Sequence, residues 1–351
     1  MTNSPHKRCG GRRPIYIRRG RDMKLKGVVV MALACAVIFS LVSFGEAAKY
    51  EFKLGHAVSE QHPYHLGAQR FKEIVEKETN GEVEVSLFPN NQLGTGERDL
   101  LEGLQLGTVD LYVGSTGPMG GFEKRFMMFD FPFLFKDKAQ AYAVLDGKIG
   151  QYVMGLLDRI GITGLAWYEN GFRHFTNSKR PVNSPEDVKG LKLRTMENKI
   201  HMALWRAMGA DPTPMAWGEV FTALQQGTVD GQENPVPIIF VQKVYEVQKH
   251  LALTGHVFSP AMIAIAKAKF DALPEGHKEI IRKAAQESAV FQREQITKME
   301  SEQVAKLKEL GMEVTTPDVA PFREATKAVY DEFKGELGED AKLLDEILSG
   351  K

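Results

Sequence analysis

Apolar and polar residues alternate with period two over residues 50–57 and 82–88, the spacing of half-buried strands. Between them, Leu66, Phe71, Ile74 and Val75 fall on one helical stripe within 63–78, and Asn80 with Gly81 supplies a left-handed stop. This is a βαβ unit. Further strands are expected at 109–113, 162–168, 172–176, 191–195 and 262–266, and helices at 138–160, 197–208, 218–226 and 275–310. Alternating strands and helices predict an α/β protein with mainly parallel sheets. The last helix, with Ile280, Ile281, Ala284, Ala285 and Val290 on its apolar face, reads as a brace.

One segment recurs. Leu104 to Asp110 reads LQLGTVD and Leu224 to Asp230 reads LQQGTVD, identical at six of seven positions and offset by 120 residues. In both copies a helix ends at a glycine suited to the left-handed cap and a strand begins at the valine. Two copies of one joint argue for two similar lobes, against the alternative that a common joint is used twice by chance. No Gly/Ser-rich linker separates them, which fits lobes joined by strands that the chain crosses more than once. The Pro/Gly-marked loops FPNNQLGTGE, GSTGPMGG and GADPTPMAWG fall where strands end or helices begin, the side of an open α/β sheet that faces ligands.

Composition narrows the function. With 351 residues, 43% of them hydrophobic, the chain can bury well-formed cores. Its net charge is zero but uneven: residues 1–48 hold nine Lys/Arg against Asp22 and Glu46, leaving 36 basic and 43 acidic residues after them. An acidic body argues against nucleic acid as a partner. The basic start runs into the apolar stretch 27–44 and then GEAA, the order of an export signal cleaved near Ala47 or Ala48. Met23 makes a more typical start, which would leave 1–22 outside the gene. An uncleaved membrane anchor and a lipid attached at Cys35 are the competing readings. The only cysteines, Cys9 and Cys35, lie in this segment, so the exported chain is expected to have no disulfide and no thiol ligand.

Motifs for catalysis are absent: there is no GxSxG, P-loop, HExxH or strand-linked GxGxxG. His56, His62 and His65 cluster without the spacing of a metal site, and no metal or cofactor is expected. The positive signal is Arg173 in NGFRHFTN and Arg194 in GLKLRT, both in segments expected to be half-buried strands. A buried guanidinium is costly unless paired, and its fork suits a carboxylate, either an internal acid or a ligand. Glu233 with Asp230 could serve acid/base chemistry, though a buried hydrogen-bonding role fits them better.

From about Tyr50 onward the chain resembles the DctP-type extracytoplasmic solute receptors of tripartite ATP-independent periplasmic (TRAP) transporters. The resemblance rests on the QLG loop at Gln92 to Gly94, NGFR at Asn170 to Arg173, and SPEDVKGLKLR from Ser184 to Arg194. It continues through GADPTPMAWGEVFTALQQGTVDGQENP from Gly209 to Pro235 and QKVYEVQKHL from Gln242 to Leu251. It implies a two-lobed periplasmic-binding-protein fold with a central cleft, lobes joined by crossing strands and a long helix bracing both. Lobe 1 would hold residues 49–170 with contributions from 250–351, and lobe 2 the core 171–249. It also implies a monomeric, non-enzymatic periplasmic receptor that passes a small organic acid, a C4-dicarboxylate or related hydroxy or keto acid, to small and large membrane subunits. By position in the motifs, the resemblance implies that Arg194 binds the ligand carboxylate, Arg173 supports the same or a second acidic group, Asn234 hydrogen-bonds the ligand, Trp217 packs over it, and Glu97 bonds ligand hydroxyl or amine groups or the arginine cluster. Ser115, His56 and Glu197 occupy loops where this sequence departs from the sugar-acid receptors. A sensing partner of a signalling receptor and a secreted enzyme acting on a carboxylate, using Glu233 or His56, are the rival functions.

Overall fold

The computed structural model describes residues 48–350, so the expected export signal lies, apart from Ala48, outside the described residues. Among those residues no helix is long and apolar enough to cross a membrane. The strands are β1 Tyr50–Gly55, β2 Val83–Phe88, β3 Leu111–Ser115, β4 Ile162–Asn177, β5 Lys192–Thr195, β6 Asp211–Pro214, β7 Gly231–Asn234, β8 His250–Ala266 and β9 Glu313–Thr315. They join in one sheet of order β2-β1-β3-β8-β4-β7-β5-β6, with β9 added beside β8. The helices that place the site are α1 Pro63–Glu78, α2 Glu97–Leu106, α3 Lys199–Ala207, α4 Trp217–Gln225 and α5 Glu275–Glu309.

The sequence echo is a structural one. β1-α1-β2-α2-β3 and β5-α3-β6-α4-β7 are both βαβαβ units in which the first strand lies between the other two, all parallel. In each copy the glycine after the helix, Gly107 or Gly227, takes the left-handed conformation that costs other residues strain. The aspartate that follows ties the joint to the central strand: Asp110 Oδ2 accepts the Lys53 N–H at 2.9 Å, and Asp230 Oδ2 accepts the Lys192 N–H at 2.9 Å.

The two units are linked by β4 and β8, an antiparallel pair long enough to belong to both halves. β8 pairs with β3 at one end and β9 at the other, while β4 pairs with β7. Segments 162–168 and 172–176 are thus one strand of 16 residues, not two. The intervening Asn170–Gly171 looks like a turn in sequence, but it forms a bulge that Gly171 permits at φ 123°. Strand 262–266 likewise starts twelve residues earlier, at His250, hidden in sequence by Gly255 and Pro260. The helix expected over 138–160 breaks at Gly147 into Lys138–Asp146 and Lys148–Gly155, followed by a tighter 3-10 turn at Leu156–Ile160.

Each half of the sheet is covered on both faces. Phe71, Val85, Ile263 and Ile281 share one buried cluster, Phe126, Phe129, Trp167 and Met262 a second, both in the β1–β3 half; Leu193, Trp205 and Phe175, and Val220, Leu251 and Leu307, fill two more in the β5–β7 half. Fully burying Phe71 or Ile281 contributes roughly 1.5–3 kcal/mol each. Helix α5 has 35 residues and is about 52 Å long, enough to pack Ile281, Ala284 and Ala285 on one half and Leu307 on the other. Val290, expected on its apolar face, is exposed instead. At mid-helix the Gln292 amide accepts the Glu169 N–H (2.9 Å) and donates to the Glu169 carbonyl (2.7 Å), pinning the brace to the bulge of β4.

Candidate functional site

The segments after β1, β2, β5, β6 and β7 converge where the two units meet. There a narrow cavity of about 20 Å³ is lined by Ala57, Val58, Glu97, Asn170, Arg194, Met196, Trp217, Asn234 and Ile238. Four residues singled out in sequence are thus brought together: Arg194, Glu97, Trp217 and Asn234.

Arg194 reaches the cavity because β5 alternates. Leu193 is buried in the hydrophobic core, and Arg194 points the opposite way at the strand's carboxyl end. Its Nε and Nη2 both donate to the Met215 carbonyl, at 3.0 and 2.7 Å, and its guanidinium lies 5.3 Å from the centre of the Trp217 ring. These contacts fix the fork without neutralising it. Nη1 is buried with no partner, and no carboxylate lies within ion-pair distance of the group among the described residues. Burial pulls Arg194 down to about 10, with Arg173 adding to the effect while Glu233 and Glu97 oppose it. It therefore carries a poorly solvated positive charge at neutral pH.

Of the two arginines, Arg173 is the one that meets an internal acid. It is fully buried, and its fork closes on the protein's own Glu233: Nε donates to Oε2 in a short contact, and Nη2 donates to Oε1 at 2.8 Å and to the Glu233 carbonyl at 2.6 Å. Only Nη1 is left without a partner. Burial alone would raise the Glu233 carboxyl, but Arg173 and the His256 ring, 3.0 Å from Oε2, hold it well below the usual range. Glu233 is thus a structural counter-charge.

Glu97 opens helix α2 and reaches across to β3, where its Oε1 accepts the Ser115 N–H at 2.7 Å. Burial pushes its carboxyl up to about 7, against the opposing pull of Ser115, Arg194 and Arg173. Asn234 ends β7, with its Nδ2 held by the Gln232 Oε1 at 2.7 Å.

Besides Arg173, three expected residues do not line the cavity. Ser115 lies behind Glu97, its hydroxyl 3.2 Å from that of Ser259. His56 is fully buried, its Nε2 2.9 Å from His65 Nδ1, and burial with the nearby His65 pushes it down to about 3. The backbone after β1 offers Ala57 and Val58 to the cavity in its place. Glu197 is part-exposed and sits 4.0 Å from Arg98. Asn170 was missed as a site residue. It is the bulge residue of β4, 1% exposed, with Nδ2 3.3 Å from Ser259 Oγ and Oδ1 unpaired. The NG dipeptide was the available signal, but it reads as a turn until β8 is seen alongside it. No cluster of three or more His, Cys, Asp or Glu side chains that could hold a metal ion occurs among the described residues.

The chain matches known proteins along most of its length. Residues 54–336 match the profile described as bacterial extracellular solute-binding protein, family 7, DctP. A solute-binding protein of Verminephrobacter eiseniae is 44% identical over 306 residues, 87% of this chain and 90% of that protein. A TRAP periplasmic solute-binding protein from a Polaromonas species, bound to D-erythronate, superposes with a TM-score of 0.83 at 45% identity, covering 86% of this chain and 98% of the other. One from Bordetella, with density assigned to pantoate, gives 0.83 at 43% identity, covering 86% and 99%. A charged fork held open at the meeting of two βαβαβ units, on a scaffold shared with acid-bound relatives, makes this chain a member of the DctP family of TRAP solute-binding proteins.

Proposed function

We propose that this chain is a periplasmic receptor for a small hydroxylated monocarboxylic acid, which it delivers to TRAP membrane subunits as a monomer and without chemical change. The observation that carries the reading is the charge balance around the cavity. Arg173 is matched by Glu233, which leaves Arg194, among the described residues that line the cavity, as a cation with no carboxylate partner, with Glu97 close by. One ligand carboxylate completes the Arg194 fork, and such a contact gains strength as the lobes exclude water. A second carboxylate would face Glu97 rather than another free cation. The unpaired Asn170 Oδ1 and the Glu97 carboxyl instead offer acceptors to ligand hydroxyls. Erythronate and pantoate, found with two similar proteins, are both hydroxylated monocarboxylates, which supports this narrowing.

In this reading the lobes are 49–170 with parts of 250–351, and 171–249, the chain crossing between them through β4 and β8. Ligand favours closure because it binds the closed arrangement better, with no reaction step involved. Calorimetry with purified protein tests the class: erythronate should bind at least tenfold more tightly than succinate, and the reverse order would overturn it.

A further inference from the structure

The cavity at Arg194 is small enough to decide something. About 20 Å³ is little more than the space one water needs, so no long carbon chain fits there beside the Arg194 fork. Ala57 and Trp217 line it on one side, and the same two residues line a second, larger cavity of about 230 Å³. That chamber also lies between the units: Asn90 and Asn91, from the loop after β2, face Gly218, Val220, Phe221 and Leu224 of α4, with Gln242 and Val244 beyond. The walls meet where the Gly218 N–H donates to the Thr95 carbonyl at 3.1 Å. Polar groups in the lining are neutral amides, and the Asn91 Oδ1 is buried without a partner.

We infer that the second chamber is the subsite for the ligand's hydroxylated tail, so that an acid anchored at Arg194 threads between Ala57 and Trp217 and presents its distal hydroxyls to Asn91 and Gln242. The inference rests on the carboxylate reading of Arg194 and adds the direction and chemistry of the rest of the ligand. Amides both donate and accept, which suits polyols; the lack of a charged side chain in the lining gives a distal carboxylate no counter-ion there. Val220, Phe221 and Leu224 supply apolar surface for the carbon chain. Trp217 does two tasks in this arrangement, backing the guanidinium with its ring and forming one side of the passage.

The test uses three aldonates of rising length, glycerate, erythronate and gluconate, measured by calorimetry on the exported chain. The double variant Asn91→Gly with Gln242→Leu removes the amides; glycine accepts the φ of 59° that Asn91 adopts, so the loop keeps its backbone. In the parent, affinity should rise from glycerate to the longer acids. In the variant, gluconate should weaken by about tenfold, the loss of one or two neutral hydrogen bonds, while glycerate stays within twofold. Unchanged gluconate binding, a parent that binds glycerate but rejects the longer acids, or an equal loss for all three would overturn the inference. Failure of the parent to bind any of the three would instead overturn the hydroxy-acid reading itself.

Discussion

The two βαβαβ units share a scaffold and differ in what they present at its rim. Gly55 in β1 and Arg194 in β5 hold the same place, each registered opposite the second paired residue of its neighbour, Tyr112 or Gln232. The first residue of the second helix is Glu97 in one unit and Trp217 in the other. One unit therefore contributes an acid and its backbone clamp, the other a cation, an aromatic ring and an amide. The joints that build the units are duplicated, whereas the residues that line the cavity are not. This is the expected division if folding requires both scaffolds to be alike and recognition requires the two walls of a cleft to be complementary.

The largest test of that division is Arg194→Ala, which gives β5 a rim as neutral as that of β1. Binding of a monocarboxylate should weaken by about 2–5 kcal/mol, with the melting temperature of the unliganded protein nearly unchanged. An equal ligand-induced melting shift in variant and parent would break the assignment of the anion to the β5 unit.

The acid on the other wall predicts a pH dependence. With Glu97 near 7 before binding, an arriving carboxylate raises it further, so binding takes up a proton. Affinity should be full below pH 7 and fall as pH rises through it, by at most about tenfold per unit. Glu97→Gln should flatten the profile. Affinity that grows with pH between 6.5 and 8.5 would mean that Glu97 does not meet the ligand as an acid.

The smallest effect sharpens the scaffold half of the comparison. Asp110 and Asp230 each accept one N–H from the central strand, and each has its other oxygen 3.2 Å from a lysine, Lys269 or Lys179. Asp110→Ala and Asp230→Ala should each lower unfolding free energy by about 1–2 kcal/mol and agree within about 0.5 kcal/mol in urea titrations. A gap above about 2 kcal/mol would show that the two joints are alike in shape but not in energetic role.

Much of this was legible in order along the chain. The repeated GTVD joint exposed the duplication, and the arginine closing GLKLR stood out as a charge in a strand that had to be buried on one side. What could not be read was the pairing across the long strands. Asn170–Gly171 and Pro260 look like chain breaks because their local preferences oppose a regular ladder, and a bulge is recognisable only with both strands in view. The orientation of His56 could not be read for a related reason: the strand itself ends at Gly55, short of the alternation that runs to residue 57, and nothing local says which side the next ring takes.

Local preference and hydrophobic period, carried by neighbours in the chain, were enough to determine most strands and helices, their duplication and the presence of two costly arginines. Whether each arginine was already satisfied depended on residues 60 positions away for Arg173 and 21 for Arg194, since Glu233 reaches one fork and only the Met215 carbonyl the other. A charge's partner is chosen by distance in space, and the sheet that sets those distances is assembled from strands far apart in the chain; tertiary structure alone therefore separated the arginine paired with an acid from the one that has no such partner among the described residues.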